Sequence, residues 1–451
     1  MSTSFTRRKA IGYGLGSCIP LAFSSLAAAA TGHARAKACL VLFMDGGVSH
    51  VDTFDMKPDA PNEIRGPFGS IETSVPGTRV CEHLPLLAQQ MHRVWQIRSV
   101  RHEEMVHDPA VYQMLTGYKH VSSAGGLKVE ETDLPHIGSA FARAAPSSPA
   151  IPPFLEIPGR MTMEGRVLPG QSAGVLGASW DPFPVPVSRE GLVTPPPFER
   201  MAELDEHRWR LRHALLDPAA LADAVEAEPA VRFEGFQRQA MSILDRTAIS
   251  AAFQLDRESA ATRDRYGRHR HGASVLLARR LVEAGARFIS VYWGNEEQDW
   301  ADGRGLRPVN NPWDTHRNHF PLVRDSLLPR ADQALSALLE DLSVRGLLND
   351  TLVFWIGDFG RTPRISRPWA SRDHWPHAFT VLAAGAGLPM GSVYGKTDRL
   401  GEMVVDDPVS PADLTASMLH MLGVAPDVPL PTSRRQTHLA STGRPLAPCL
   451  N

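Results

Sequence analysis

Two hydrophobic runs in the last third of the chain constrain its fold more than any other feature. Leu352-Val-Phe-Trp-Ile356 has the length and content of a strand buried on both faces, and it runs directly into Gly357-Asp358-Phe359-Gly360-Arg361-Thr362. A loop holding Arg372-Asp373-His374-Trp375-Pro376-His377 follows, then a second buried run, Phe379-Thr-Val-Leu-Ala383, before Gly385-Ala-Gly387. In open parallel sheets ligands collect at the carboxyl ends of strands, so Asp358, Arg361, Asp373, His374 and His377 are expected on one rim. The plain alternative is a pair of core strands with solvated polar loops.

The same rhythm recurs upstream. Cys39-Leu-Val-Leu-Phe-Met44 reads as the first buried strand and ends at Asp45-Gly46-Gly47-Val48-Ser49-His50-Val51-Asp52. A helix around Leu84 to His92 leads to a strand from Val94 to Val100, then to Arg101-His102-Glu103-Glu104-Met105-Val106-His107-Asp108. Pro109 to Leu115 reads as a helix capped by Asp108, placing His107 just before a helix N-terminus, an electropositive spot. Gly272 to Glu283 is a helix stopped by Gly285, and Arg287 to Trp293 is another buried strand. A loop from Asn295 to Asn311 delivers Trp313-Asp314-Thr315-His316-Arg317-Asn318-His319 to a long helix, Pro321 to Arg345. The final helix starts at Ser410-Pro411-Ala412-Asp413. Alternation of helix and strand with tight glycine breaks predicts an α/β fold with a central, mostly parallel sheet between helices. The proline- and glycine-rich stretch from Ala144 to Pro197 is expected as a long surface excursion over the site.

Length allows one large domain with insertions, or two. With 47 basic and 49 acidic residues the chain lacks the basic excess of a nucleic-acid binder. Its 18 histidines matter more, because imidazole is both a proton carrier near neutral pH and the commonest metal ligand. Thr6-Arg7-Arg8-Lys9 before an apolar stretch reaching Ala30 predicts a twin-arginine export signal over residues 1–36, with Ala34-Arg35-Ala36 at the cleavage spacing. The remaining 37–451 is then one domain, periplasmic or otherwise exported through the twin-arginine pathway, and without a later membrane span. Cys18 falls in the signal; Cys39, Cys81 and Cys449 make at most one bridge and no thiolate metal site.

Polar residues at strand ends are thus Asp45, His107, Asp314 with His316, Asp358, and His374 with His377. Nitrogen and carboxylate donors without thiolate suit zinc, manganese or iron, or magnesium and calcium where carboxylates dominate.

The motifs together resemble a known family. The twin arginine, Gly46-Gly47-x-Ser49-His50-x-Asp52-Thr53-Phe54-Asp55, Trp313-Asp314-Thr315-His316, Asp358-Phe359-Gly360-Arg361-Thr362-Pro363 and Asp373-His374 look like the bacterial sulfatase-like proteins of domain-of-unknown-function family 1501. That family is placed in the alkaline phosphatase and sulfatase superfamily, which implies a central sheet between helices and usually two metals. On this resemblance Asp314, His316 and His374 hold a first metal, with His377 in reserve. Asp45 and Asp358 hold a weaker second one, because Phe359 stands where a histidine is expected. His107-Asp108-Pro109-Ala110-Val111 followed by Leu115-Thr116-Gly117 matches the spacing of the nucleophile motif, with His107 in the nucleophile's seat. No Ser, Thr or Cys is there; Ser49 is the nearest hydroxyl, and His50 and Asp52 are further site candidates.

The resemblance implies an exported hydrolase of a sulfate or phosphate ester that uses a divalent metal, zinc foremost, with manganese, calcium or magnesium as alternatives. His107 acts as base or nucleophile and Arg361 neutralises developing charge. Its partner is a small anionic or glycan substrate. The rival is a non-catalytic relative that binds a glycan or a protein.

Overall fold

The computed structural model describes residues 34–145, 151–193, 251–293, 308–367, 370–432 and 436–450. Its centre is an eight-stranded sheet. The strands are β1 (Ala38–Met44), β2 (Trp95–Val100), β3 (Leu155–Ile157), β4 (Phe183–Pro184), β5 (Phe288–Tyr292), β6 (Thr351–Gly357), β7 (Phe379–Ala384) and β8 (Val393–Tyr394). Their spatial order is β8-β2-β7-β6-β1-β5-β3-β4. β1 pairs parallel with β5 and β6, whereas β7 runs antiparallel to both β6 and β2. The start of β7 therefore lies at the rim where β1 and β6 end, so the residues that precede β7 reach the same rim as those that follow β1 and β6.

Every residue of β1 is buried, and alternate side chains enter opposite layers, as the period of two requires. Leu40, Leu42 and Met44 pack with the helices α1 (Pro85–Gln90), α4 (Arg270–Glu283) and α5 (Leu328–Val344). Cys39, Val41 and Phe43 pack with α2 (His107–Thr116), α3 (Ile137–Ala144) and α6 (Pro411–Met421). Two apolar faces covered by helices explain why the central strands read as continuous hydrophobic runs.

Several expectations need correction. The stretch after Ala144 is not a surface excursion in its described part: it supplies β3 and β4 to the sheet, and Phe154, Leu155 and Ile157 are fully buried. The helix at His107 begins two residues earlier than Pro109. The helix expected from Pro321 to Arg345 is interrupted by a π turn at Val323–Leu327. Pro329 is the cause we assign, since it lacks an N–H and its ring crowds the carbonyl four residues back. Cys39, Cys81 and Cys449 are all free and buried, so none of them forms the bridge that the sequence left open.

Residues 1–33, with the twin arginine, lie outside the described residues, as does most of the loop from Asn295 to Asn311. Ala36 is buried, and the backbone N–H groups of Arg35 and Ala36 donate to Met421 O. Among the described residues no helix is long and apolar enough to cross a membrane.

Candidate functional site

Three segments meet at the rim: the loop after β1, the run Trp313–His319, and the pair of short strands Gly360–Arg361 and His374–Trp375, in which Arg361 faces His374. Gly46 allows the first two to touch. It holds φ +115, and a Cβ there would lie 2.4 Å from Asp314 N.

At the centre is Asp314, fully buried. Its Oδ1 lies 2.8 Å from Arg361 Nη2, 3.1 Å from His316 Nε2, and 3.3 Å from both His374 Nε2 and His107 Nε2. Burial opposes its ionisation, but these neighbours outweigh it and hold the carboxyl far below its usual range. His107, Asp314 and His374 offer ligand atoms within 4.8 Å of one another. His316 Nε2 adds a fourth, 2.8 Å from His374 Nε2.

Each imidazole is oriented from behind. His107 Nδ1 donates to Asp358 Oδ2 at 2.5 Å, His316 Nδ1 to Asp373 Oδ1 at 2.7 Å, and His374 Nδ1 to Met105 O at 2.7 Å. Carboxylate and carbonyl oxygens accept, so these contacts set the tautomers and leave Nε2 facing the centre. His107 Nε2 is buried and makes no aligned hydrogen bond among the described residues.

The other expected residues fall into place around this core or away from it. Asp358 is brought to the site, but its oxygens accept from His107 and from Gly46 N at 3.1 Å. Asp45 accepts from Asn311 Nδ2 at 2.8 Å through Oδ1, while Oδ2 is buried without a partner among the described residues. Burial, then the charge of Asp358, raise its pKa well above the ordinary carboxyl value. Phe359 packs its ring 4.9 Å from that of His107 and 4.4 Å from that of His374.

Arg361, expected to neutralise developing charge, is fully buried. Its guanidinium donates to Asp314 Oδ1 and to the carbonyls of Gly46, Gly47, Trp313 and Arg372, so it clasps the three segments together. His377 is not drawn into the cluster; its ring packs on Trp375 at 4.8 Å.

Ser49 and Asp52 belong to a separate buried network. Asp52 accepts from Arg372 Nε at 2.5 Å and Nη2 at 2.9 Å, from His319 Nε2 at 2.9 Å and from Ser49 Oγ at 2.6 Å. His50 turns away to Gly401 O at 2.7 Å. The sequence reading missed His319, Asn311 and the carbonyl of Met105 as supports. His319 had a signal, since it closes the same polar run as Asp314 and His316; a backbone carbonyl has none.

The family model described as "Protein of unknown function (DUF1501)" matches residues 36–450. No curated protein matches. Among solved structures, the chain is similar to a phosphonate monoester hydrolase from Silicibacter pomeroyi, at 13% identity, covering 91% of this chain and 76% of that one, with a TM-score of 0.38. It is also similar to a sulfatase from Pseudoalteromonas sp., at 13% identity, covering 88% and 70%, with a TM-score of 0.40. A protein in the alkaline phosphatase superfamily from Vibrio parahaemolyticus matches at 12% identity, covering 88% and 69%, with a TM-score of 0.41. Since the family model spans the whole sheet and every segment that builds the site, the chain belongs to the DUF1501 family.

Proposed function

We propose that the chain is an exported, metal-dependent hydrolase of a sulfate or phosphate ester, with one metal centre held by Asp314, His316, His374 and His107. The observation that carries this reading is the approach of His316 Nε2 and His374 Nε2 to 2.8 Å. With both Nδ1 atoms donating to oxygen, two neutral rings point lone pairs at each other. Such an arrangement is repulsive unless a proton or a metal ion lies between them, and the closure of Asp314 Oδ1 and His107 Nε2 on the same point favours the metal. Three imidazoles, one carboxylate and no thiolate suit zinc, then manganese; calcium and magnesium prefer oxygen throughout.

A bound divalent ion supplies Lewis-acid polarisation of the anionic group and activation of water. The chain's own residues decide access. The His316 and His374 side chains are 27% and 18% exposed, so substrate enters on their side, while Phe359 and the Gly46–Gly47 turn close the other. In this reading His107 is a ligand rather than a base or nucleophile, Arg361 holds Asp314 in place, and Asp45, whose ionisation burial and Asp358 oppose, stays out of the centre. The periplasmic location rests on Arg7 and Arg8.

The test is metal analysis of protein purified from its own host, followed by a screen of aryl sulfates and phosphates. About one equivalent of zinc is expected, lost in Asp314→Ala and His316→Ala and kept in Asp45→Ala, with metal-dependent turnover of one ester class. Two tightly held metals would show that Phe359 and Asp45 have been misread. Metal without turnover of any ester would reject the hydrolase.

A further inference from the structure

We infer that Thr315, His319 and Asp52 form a positioning relay that aims the metal-binding side chains of Asp314 and His316; the inference rests on the metal reading above. Thr315 lies between the two ligands and is buried with its hydroxyl turned away from the centre, where Oγ1 meets His319 Nδ1 at 2.7 Å. His319 Nε2 donates to Asp52 at 2.9 Å, which leaves Nδ1 as the acceptor and makes the Thr315 O–H the donor. Asp52 is anchored in turn by its two-pronged pairing with Arg372, whose guanidinium also donates to the carbonyls of Ile64, Thr362 and Pro363. Ser371 Oγ donates to Thr315 O at 2.7 Å, so the run is held through its backbone as well.

Two features mark this as a built support. Asn318 sits at φ 55, ψ 31, a left-handed conformation that is costly for an L-residue and that Asn tolerates better than most. That turn is what swings His319 back under Thr315, and strained backbone persists where the surroundings over-determine it. The relay also ties the Trp313–His319 run to the loop after β1 through Asp52 and to the segment carrying His374 through Arg372. All three are segments from which the centre is assembled. Unlike the contacts of Arg361, it reaches the ligands only through the backbone on either side of Thr315, so it sets their direction without touching the metal.

Zinc affinity by chelator competition and the visible spectrum of the cobalt(II)-loaded protein test the relay on the full chain. Thr315→Val keeps the shape and removes the donor; it should weaken zinc about tenfold or more and shift the cobalt bands, while chelator-treated protein, with His319 Nδ1 buried and unpaired, still unfolds in a single transition at a lower midpoint. Thr315→Ser should restore wild-type affinity and spectrum. His319→Gln offers a second route if Thr315→Val does not accumulate: its amide nitrogen can still donate to Asp52, but its carbonyl oxygen, bonded to the same carbon as that nitrogen, does not stand where Nδ1 accepted from Thr315, so it too should lose affinity. Zinc binding by Thr315→Val and His319→Gln within about twofold of wild type, with unchanged cobalt bands, would overturn the relay. So would a Thr315→Ser variant as weak as Thr315→Val. A wild-type protein that takes up neither zinc nor cobalt rejects the metal reading itself, a result distinct from failure of the relay.

Discussion

Phe359 sets the chemistry of its neighbours by what it withholds. Its ring brings no nitrogen to the rim, and Asp358 beside it spends its oxygens on His107 and Gly46 N. Burial by itself pulls the His107 pKa down, yet the carboxylates of Asp358 and Asp314 outweigh it and push the ring up to about 10 from 6.5. A raised pKa contributes stability that is fully present below the unfolded value of 6.5 and is lost as pH climbs through the folded one. Metal binding needs the bare Nε2, so zinc affinity must change with pH in the opposite sense. Chelator-treated protein should therefore lose thermal stability between about pH 7 and pH 10 relative to its His107→Gln variant, while zinc binds more tightly over the same range. Parallel melting profiles of wild type and variant would show that His107 carries no extra proton. Arg361 was legible as a site residue because it follows a buried strand, but not as a clasp, since its partners are carbonyls that no sequence pattern marks.

Among the elements, α6 was the most fully readable, and its start can be checked alone. Ser410 Oγ accepts from Asp413 N at 3.2 Å, and Asp413 Oδ2 accepts from Ser410 N at 3.0 Å, a reciprocal cap with Pro411 in the first turn. Ser410→Ala should cost about 1 kcal/mol in urea unfolding, and Ser410→Gly less. An unchanged midpoint for Ser410→Ala would mean that packing of Leu414, Met418 and Leu419 alone holds the helix. The Pro321–Arg345 helix shows the opposite case. Its apolar periodicity is correct throughout α5, but periodicity does not register the local cost of Pro329, which the chain absorbs as a π turn.

For the whole molecule, the export reading is tested by a reporter fused to residues 1–37, which should reach the periplasm only with a working twin-arginine pathway. Lysine at both Arg7 and Arg8 should stop it, and unchanged export of that double variant would remove the argument for location. By itself the sequence determined the α/β class, the buried strands and the residue types gathered at their ends. Those follow from local periodicity and from the apolar content that burial on two faces demands. Only the tertiary structure decided which of these residues share a centre. His107 meets Asp358 across 251 residues of chain, and His374 arrives because β7 runs antiparallel, bringing the residues before it to the rim where β1 and β6 end. Strand order and direction are set by packing over the entire sheet. The same physics that makes a strand recognisable therefore cannot tell Asp314, at the centre, from Asp52, which braces it from behind.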